Sequence, residues 1–239
     1  MPEEHNRVLT DHAADLCLAP TDVAMQHLAS EGLAERSVLV GDVMTDVLFR
    51  IRDEVLSSGA ENPLTEVDEA AGYYVATIHR AENTNDPERL REIVAALAAA
   101  DKPVVLLAHP RVRAKAAEHG ITMTQGSLIT RDPLTYPELI NAVLRSRGVV
   151  TDSGGLQKEA FLLRVPCTTV RHETEWVETI ELGWNVLANT PEEILAGITR
   201  GPAPETSSAP YGDGFAAGRA VAAIASAHEA STPRETDRP

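Results

Sequence analysis

From Tyr73 onward the chain alternates short apolar, largely β-branched runs with longer amphipathic stretches. Strands are predicted near 73–78, 104–108, 121–125, 148–152, 166–171 and 184–188. Between them the spacing predicts helices near 87–100, 111–119, 135–147, 156–164 and 174–182. Strands that are apolar throughout are covered on both faces, so this alternation predicts an α/β fold with a parallel, doubly wound, Rossmann-like sheet. Such sheets bind ligands at the carboxyl ends of their strands. Two helix starts are explicit in the sequence: Asp86-Pro87, and Thr190-Pro191-Glu192-Glu193, a capping box with proline at the first helical position.

The first fifty residues read differently. A helix over 2–14 opens on Pro-Glu-Glu, 15–19 is a short strand, and Thr21 caps a helix that reaches Gly32. A second short strand covers 37–40, and Met44, Val47, Leu48, Ile51 and Val55 mark a longer amphipathic helix. Two short strands are too few for an independent sheet domain. The expected organisation is a partial N-terminal Rossmann-like domain over 1–56, a polar linker over 57–71, a ligand-binding Rossmann-like domain over 72–205, a loop and small-residue helix over 206–227, and a disordered tail over 228–239. An apolar sheet edge left open by the partial domain is expected to favour self-association.

Composition narrows the partners. The chain of 239 residues carries a net charge of -15, from 36 acidic and 21 basic side chains, which repels nucleic acid and anionic lipid. No apolar stretch approaches the ~18 residues that span a membrane, and the N-terminus does not resemble a signal peptide. Cys17 and Cys167 sit in separate apolar runs and are expected to be reduced core thiols of a cytoplasmic protein.

The chemistry centres on residues 148–159, where Gly-Val-Val-Thr stops at Asp152-Ser153-Gly154-Gly155 and reopens as a helix. The free N–H groups and positive dipole end of a helix start hold phosphate oxygens. Gly154 and Gly155 would let those oxygens approach the backbone, and Ser153 can cap the helix or bond an oxygen itself. Glu159, about a turn and a half inside, suits a pair of sugar hydroxyls, as acidic residues do for ribose elsewhere. A plain capped helix fits Ser-Gly-Gly equally well, so the other strand ends must decide. His79 and Arg80 close one predicted strand, His109 follows the next, and Arg171 with Glu175 follows another. A diphosphate site is expected there. No Cys/His spacing indicates a metal, no G-x-S-x-G a hydrolase nucleophile, and no G-x-G-x-x-G a dinucleotide. No cofactor is expected.

Several blocks together resemble the non-hydrolysing UDP-N-acetylglucosamine 2-epimerases. They are Pro2-Glu3-Glu4 with Asn6-Arg7, Val40-Gly41-Asp42, His79-Arg80-Ala81-Glu82-Asn83, residues 151–160, Glu173-Thr174-Glu175-Trp176 and Pro210-Tyr211-Gly212-Asp213-Gly214. Their order and spacing match from residue 2 to about residue 226. The resemblance implies a GT-B-type fold and interconversion of UDP-N-acetylglucosamine and UDP-N-acetylmannosamine without NAD, in cell-wall polysaccharide supply. It implies elimination and re-addition of UDP at C1, with proton exchange at C2.

Carried over by position, Ser153, Gly154 and Gly155 would hold the diphosphate, Glu159 the ribose, and Arg80 the diphosphate side of the cleft. Glu3 and His79 would be catalytic, and His109, Arg171 and Glu175 would belong to a further substrate or allosteric contact. The full-length form is expected to be a homodimer. Family members carry a glycine-rich turn, a His-Gly-Asp block and a His-x-Glu-Ala-Gly block before the point where this sequence begins. The expectation is therefore an upstream start, a fragment, or a chain that pairs with a separate N-terminal polypeptide. Lys158 stands where the family often has a second acid, and Trp176-Val177 where it has Arg-Pro. Two other readings stay open: a GT-B glycosyltransferase that uses the same UDP site, and a non-catalytic UDP-sugar-binding fragment. The spacing of Gln157 and Glu159 with the 79–83 block argues for the epimerase.

Overall fold

A computed structural model describes residues 2–231 of the chain. The described chain forms two compact units, one from residues 1–50 with those from Ser207 onward, the other from Ile51–Thr206.

In the first unit, α1 (Pro2–Ala13), β1 (Cys17–Ala19), α2 (Asp22–Ser30), a 3₁₀ turn (Ala34–Arg36) and β2 (Ser37–Leu39) precede α3 (Val43–Ser58), within which the division falls. β1 and β2 form a two-stranded parallel sheet, with Cys17 opposite Ser37. Thr21 caps α2 by accepting from the Ala24 N–H, as its position predicts. The core beneath is small: Cys17, Ala19, Leu28 and Leu33. Leu18, Val38 and Leu39 of the two strands remain exposed.

The last helix, numbered α11 below, spans Ala216–Ser231 and belongs to this unit. Its first two N–H groups donate to the Asp46 carboxylate of α3 at 2.9 and 2.8 Å. A carboxylate at a helix start satisfies orphan donors and complements the dipole. The helix therefore continues past the expected end at 227 into the stretch expected as tail, and residues 232–239 of that stretch lie outside the described residues.

The second unit holds a six-stranded parallel sheet built from β3 (Tyr74–Thr77), β4 (Val104–Leu107), β5 (Leu128–Arg131), β6 (Gly148–Thr151), β7 (Cys167–Thr169) and β8 (Asn185–Leu187). The helices are α4 (Ala81–Thr84), α5 (Pro87–Ala98), α6 (Pro110–Glu118), α7 (Tyr136–Leu144), α8 (Gly154–Leu162), α9 (Val177–Glu181) and α10 (Pro191–Ile198). The order β5-β4-β3-β6-β7-β8 is, counted within the unit, 3-2-1-4-5-6, the order of dinucleotide-type Rossmann sheets. Its direction reverses between β3 and β6, where the connecting loops part and leave a crevice. Val104, Val105 and Leu106 of β4 and Val149 and Val150 of β6 are buried, as continuous apolar strands under two helical layers should be. Gly197 on α10 lets that helix close on β7: an added Cβ would come within 2.7 Å of Thr168.

One strand lies elsewhere than the sequence suggests. The run 121–125 is loop, and the strand beside β4 is 128–131. Ile121 and Met123 bury apolar surface against the core without joining the sheet. The chain then turns at Gly126, whose φ of +54° and whose contact with the Ala98 carbonyl exclude a side chain. Ser127 donates to Ala98 O at 2.9 Å and to Ala100 O at 2.6 Å, and so sets the register of β5 against β4. The stretch 57–71 is strapped to the second unit. Asn141 donates to Glu61 O at 2.7 Å, Arg145 to Ala60 O at 2.8 Å, and Leu64 is buried.

Candidate functional site

At the reversal point, β6 runs into α8 through Asp152 and Ser153. Ser153 is the N-cap of α8 and accepts from the Leu156 N–H at 3.4 Å. The cap is a local bond, made by a residue type that favours it. Gly155 is exposed, and the nearest atom to an added Cβ there, outside the adjoining residues, is the Ser153 hydroxyl at 3.9 Å, so the helix start is open to a ligand. Gly154 is approached more closely. A methyl on it would collide with Oε1 of Glu175, and the Arg171 guanidinium lies 3.9 Å away.

A cavity of about 510 Å³ opens beside this junction. His79, His109, Ser153 and Glu159 contribute its polar wall, and Ile78, Leu107 and Leu134 part of its apolar wall. His79 follows β3, His109 is the N-cap of α6 after β4, and both thus reach the cavity from strand carboxyl ends. The ring Nδ1 of His109 accepts from the Arg111 N–H at 3.3 Å.

The tightest arrangement surrounds Asp152. Its fully buried carboxylate accepts from the His79 N–H at 3.0 Å, the Arg80 N–H at 2.9 Å and Asn83 Nδ2 at 3.1 Å. Its Oδ1 also meets His79 Nδ1 at 2.9 Å. Burial alone raises the Asp152 carboxyl, but the bonds from His79, Asn83 and the Arg80 backbone outweigh it and hold the group below its ordinary value. The same bond to Asp152 raises the imidazole of His79, against its partial burial. The His79 side chain remains 51% exposed, so its Nε2 is available to a ligand.

Glu159 lines the same cavity. Its Oε1 accepts from Tyr136 Oη at 2.9 Å. Burial raises its carboxyl, offset in part by the Tyr136 bond and by Lys158. Across the junction, the buried Arg171 pairs with Glu175 at 2.7 Å, Lys158 Nζ stands 4.4 Å from the Trp176 ring centroid, and Trp176 Nε1 donates to Gly154 O at 2.7 Å. Residues 171–176 are therefore tied to the first turn of α8.

Of the residues singled out in the sequence, His79, His109, Ser153, Gly155 and Glu159 line one cavity, with Gly154 adjacent and Arg171 and Glu175 beside Gly154. Arg80 turns its guanidinium toward Glu82, at 3.7 Å. The Glu3 side chain lies outside the described residues. Sequence reasoning gave no role to Asp152, although it stands in the central stretch, nor to Asn83 or Tyr136. The signal for Asp152 was its place at a strand's carboxyl end, while Tyr136 is 23 residues from the acid it bonds and left none. Among the described residues no cluster of three or more His, Cys, Asp or Glu side chains has the geometry of a metal site.

A crevice of this form occurs in many families, and comparison with known proteins selects one. The family model described as UDP-N-acetylglucosamine 2-epimerase matches residues 1–225. The chain belongs to the UDP-N-acetylglucosamine 2-epimerase family. It is 41% identical over 229 residues to the UDP-2,3-diacetamido-2,3-dideoxy-D-glucuronate 2-epimerase of Pseudomonas aeruginosa, covering 92% of this chain and 62% of that one. It is 37% identical over 230 residues to a UDP-N-acetylglucosamine 2-epimerase homolog of Methanococcus maripaludis, covering 90% and 61%. Among solved structures, the Methanocaldococcus jannaschii UDP-GlcNAc 2-epimerase in complex with UDP-GlcNAc and UDP superposes with a TM-score of 0.79 at 29% identity, over 95% of this chain and 65% of that one. The fold class of this epimerase-family chain is accordingly α/β of GT-B type, and the chain spans about three-fifths of the length of the curated relatives it matches.

Proposed function

We propose that this chain supplies the nucleotide-binding part of a UDP-sugar 2-epimerase. The observation that carries the reading is the meeting of an open, serine-capped helix start with the His79–Asp152 pair and the Tyr136–Glu159 pair around one cavity. The N–H groups of Gly154 and Gly155 and the hydroxyl of Ser153 receive the diphosphate, Arg80 adds positive charge on the same side, and Glu159 takes the ribose hydroxyls. The apolar wall accepts the uracil ring. His109, Arg171 and Glu175 form a second set of contacts to substrate or effector.

The reaction is an elimination and re-addition. A base removes the C2 proton, the C1–O bond breaks, and UDP departs with its electron pair. The proton then returns to C2 on the opposite face, and UDP attacks C1 again. Held at the α8 start, the departing diphosphate loses little electrostatic stabilisation. His79, kept in orientation and raised in basicity by Asp152, is one acid/base group. Glu3 is the proposed second group, on resemblance alone. No redox cofactor takes part.

The length relative to the family supports a further element: the catalytic unit is completed by the remaining two-fifths of the family fold, on the same polypeptide or a separate one, in a cytoplasmic homodimer. Leu18, Val38 and Leu39, exposed on the two-stranded sheet, are surfaces for that missing part.

The test is a calorimetric titration of UDP into the chain and into a Ser153→Ala, Glu159→Ala double variant. Saturable binding that the variant loses supports the site, and its absence from a folded chain counts against it. Turnover is then assayed without an acceptor, after adding the missing part of the fold. UDP-N-acetylglucosamine and UDP-2,3-diacetamido-2,3-dideoxyglucuronate are the two substrates to compare. Activity only with an added acceptor would indicate a glycosyltransferase instead.

A further inference from the structure

A second cleft, of about 450 Å³, lies at the opposite end of the six-stranded sheet, at the amino ends of β3, β6 and β7. Three cations line it, Lys102, Arg147 and Arg200, together with Tyr74 and Ser146, and among the described residues no aspartate or glutamate does. In a chain with 36 acidic and 21 basic side chains, that concentration of one sign is a departure from the rest of the molecule. Part of the floor is bare backbone, because Gly148, Gly197 and Gly201 line the cleft without side chains.

The cations are held differently. Arg200 is fixed: its guanidinium donates to the carbonyls of Gly183, Cys167 and Trp184 at 3.1, 3.1 and 2.6 Å, while its buried Nε has no partner among the described residues. Lys102 donates to Ala71 O at 3.0 Å. Helix carboxyl ends attract cations, and α5 and α10 both end on this side, which accounts in part for these two. It does not account for Arg147, whose exposed side chain packs over Gly72 and forms no hydrogen bond or ion pair among the described residues. The Tyr74 phenol donates to Asp101, the nearby acid outside the lining, at 3.1 Å.

We infer that this cleft is a second anion site, which takes a small phosphate-bearing polyanion and is separate from the nucleotide crevice. Arg200 supplies a rigid charge at the back, and Arg147 and Lys102 close on the ligand from the rim.

Pyrophosphate is the probe, because both sites would accept it and glycine amide resonances tell them apart. Titrated into the ¹⁵N-labelled chain, it should shift Gly197 and Gly201 saturably, with Gly154 and Gly155 following their own curve. A Lys102→Gln, Arg147→Gln double variant should weaken the Gly197 curve at least about tenfold, the loss of one charge-assisted contact, and leave the Gly154 curve unchanged. Gly201→Glu is a second variant, at a position where nothing lies within 4 Å of an added Cβ, and should give the same loss. A parallel titration with UDP separates a phosphate carried on a nucleotide from the free ion, and a response of Gly197 to either supports the site. Shifts confined to Gly154 and Gly155, a linear unsaturated response at Gly197, or a saturable one that both variants retain would overturn the inference.

Discussion

The Nδ1 of His79 lies 2.9 Å from the Oδ1 of Asp152, at the point between β3 and β6 where the strand order of the six-stranded sheet reverses. The carboxylate is fully buried and the imidazole half exposed. One partner orients, and the other faces the cavity.

Asp152→Asn should therefore bring the imidazole of His79 down toward or below its ordinary value of 6.5, because the bond that raises it is weakened and partial burial remains. NMR titration of the His79 ring protons measures this directly. A titration curve that does not move would show that Asp152 does not set the protonation of His79. Turnover of the completed enzyme should lose kcat more than KM, as expected for a positioning residue.

The same pair gives the fold a pH dependence of predictable sign. Asp152 is depressed in the folded chain, so its contribution is present above 3.8 and is lost as pH falls through the folded value. His79 is raised, so its contribution is full below 6.5 and is lost as pH rises through the folded value. The attraction between the two groups is strongest between those limits, where both are charged. The stability gap between the wild type and Asp152→Asn in denaturant melts should be largest inside that window and shrink without closing as pH rises through the folded value of His79, because the carboxylate keeps its bonds from the His79 and Arg80 N–H groups and from Asn83.

Gly154→Ala acts on binding and stability together. The Glu175 carboxylate that the new methyl would meet is half exposed, but it pairs with the buried Arg171, so moving it weakens that pair. The melting temperature should fall. UDP affinity should also fall at least about tenfold, since the methyl occupies the approach to the helix N–H groups. Calorimetry and a thermal melt on one preparation decide it, and undiminished affinity would move the diphosphate elsewhere.

Tyr136→Phe removes the bond that offsets the burial of Glu159, and its carboxyl should rise further above 4.5. A raised folded value means that the fold binds the proton more tightly than the unfolded chain. The acid's contribution to stability therefore declines as pH rises from 4.5 through the folded value. The variant should lose about 1–3 kcal/mol near neutral pH and less in acid. An equal loss at pH 4 and pH 8 would count against the pairing.

Gly197→Ala addresses the packing of α10 on β7. The new Cβ would stand 2.7 Å from both Cγ2 and Oγ1 of the buried Thr168, a β-branched side chain that cannot rotate both atoms away. Overpacking of this kind costs about 1–3 kcal/mol. A thermal melt reads the loss, and an unchanged midpoint would show that α10 shifts freely.

What the sequence determined by itself was local. Apolar runs against amphipathic spacing mark the strands and helices, because each period is written in neighbouring residues. The serine-capped helix start is legible for the same reason: Ser153 caps a group only three residues away. Locality also explains the misplaced strand, since the run around Ile121 and Met123 has strand-like composition. Contacts of Gly126 and Ser127 with Ala98, which no local pattern contains, decide that 128–131 pairs instead. The tertiary structure alone decided the rest. The strand order brings His79 to an acid 73 residues on, the cavity sets Tyr136 against Glu159, and Asp46 caps a helix 170 residues later. Those partners meet because burying the strands under two helical layers selects one topology, and a buried carboxylate such as Asp152 persists only where that topology delivers donors to it.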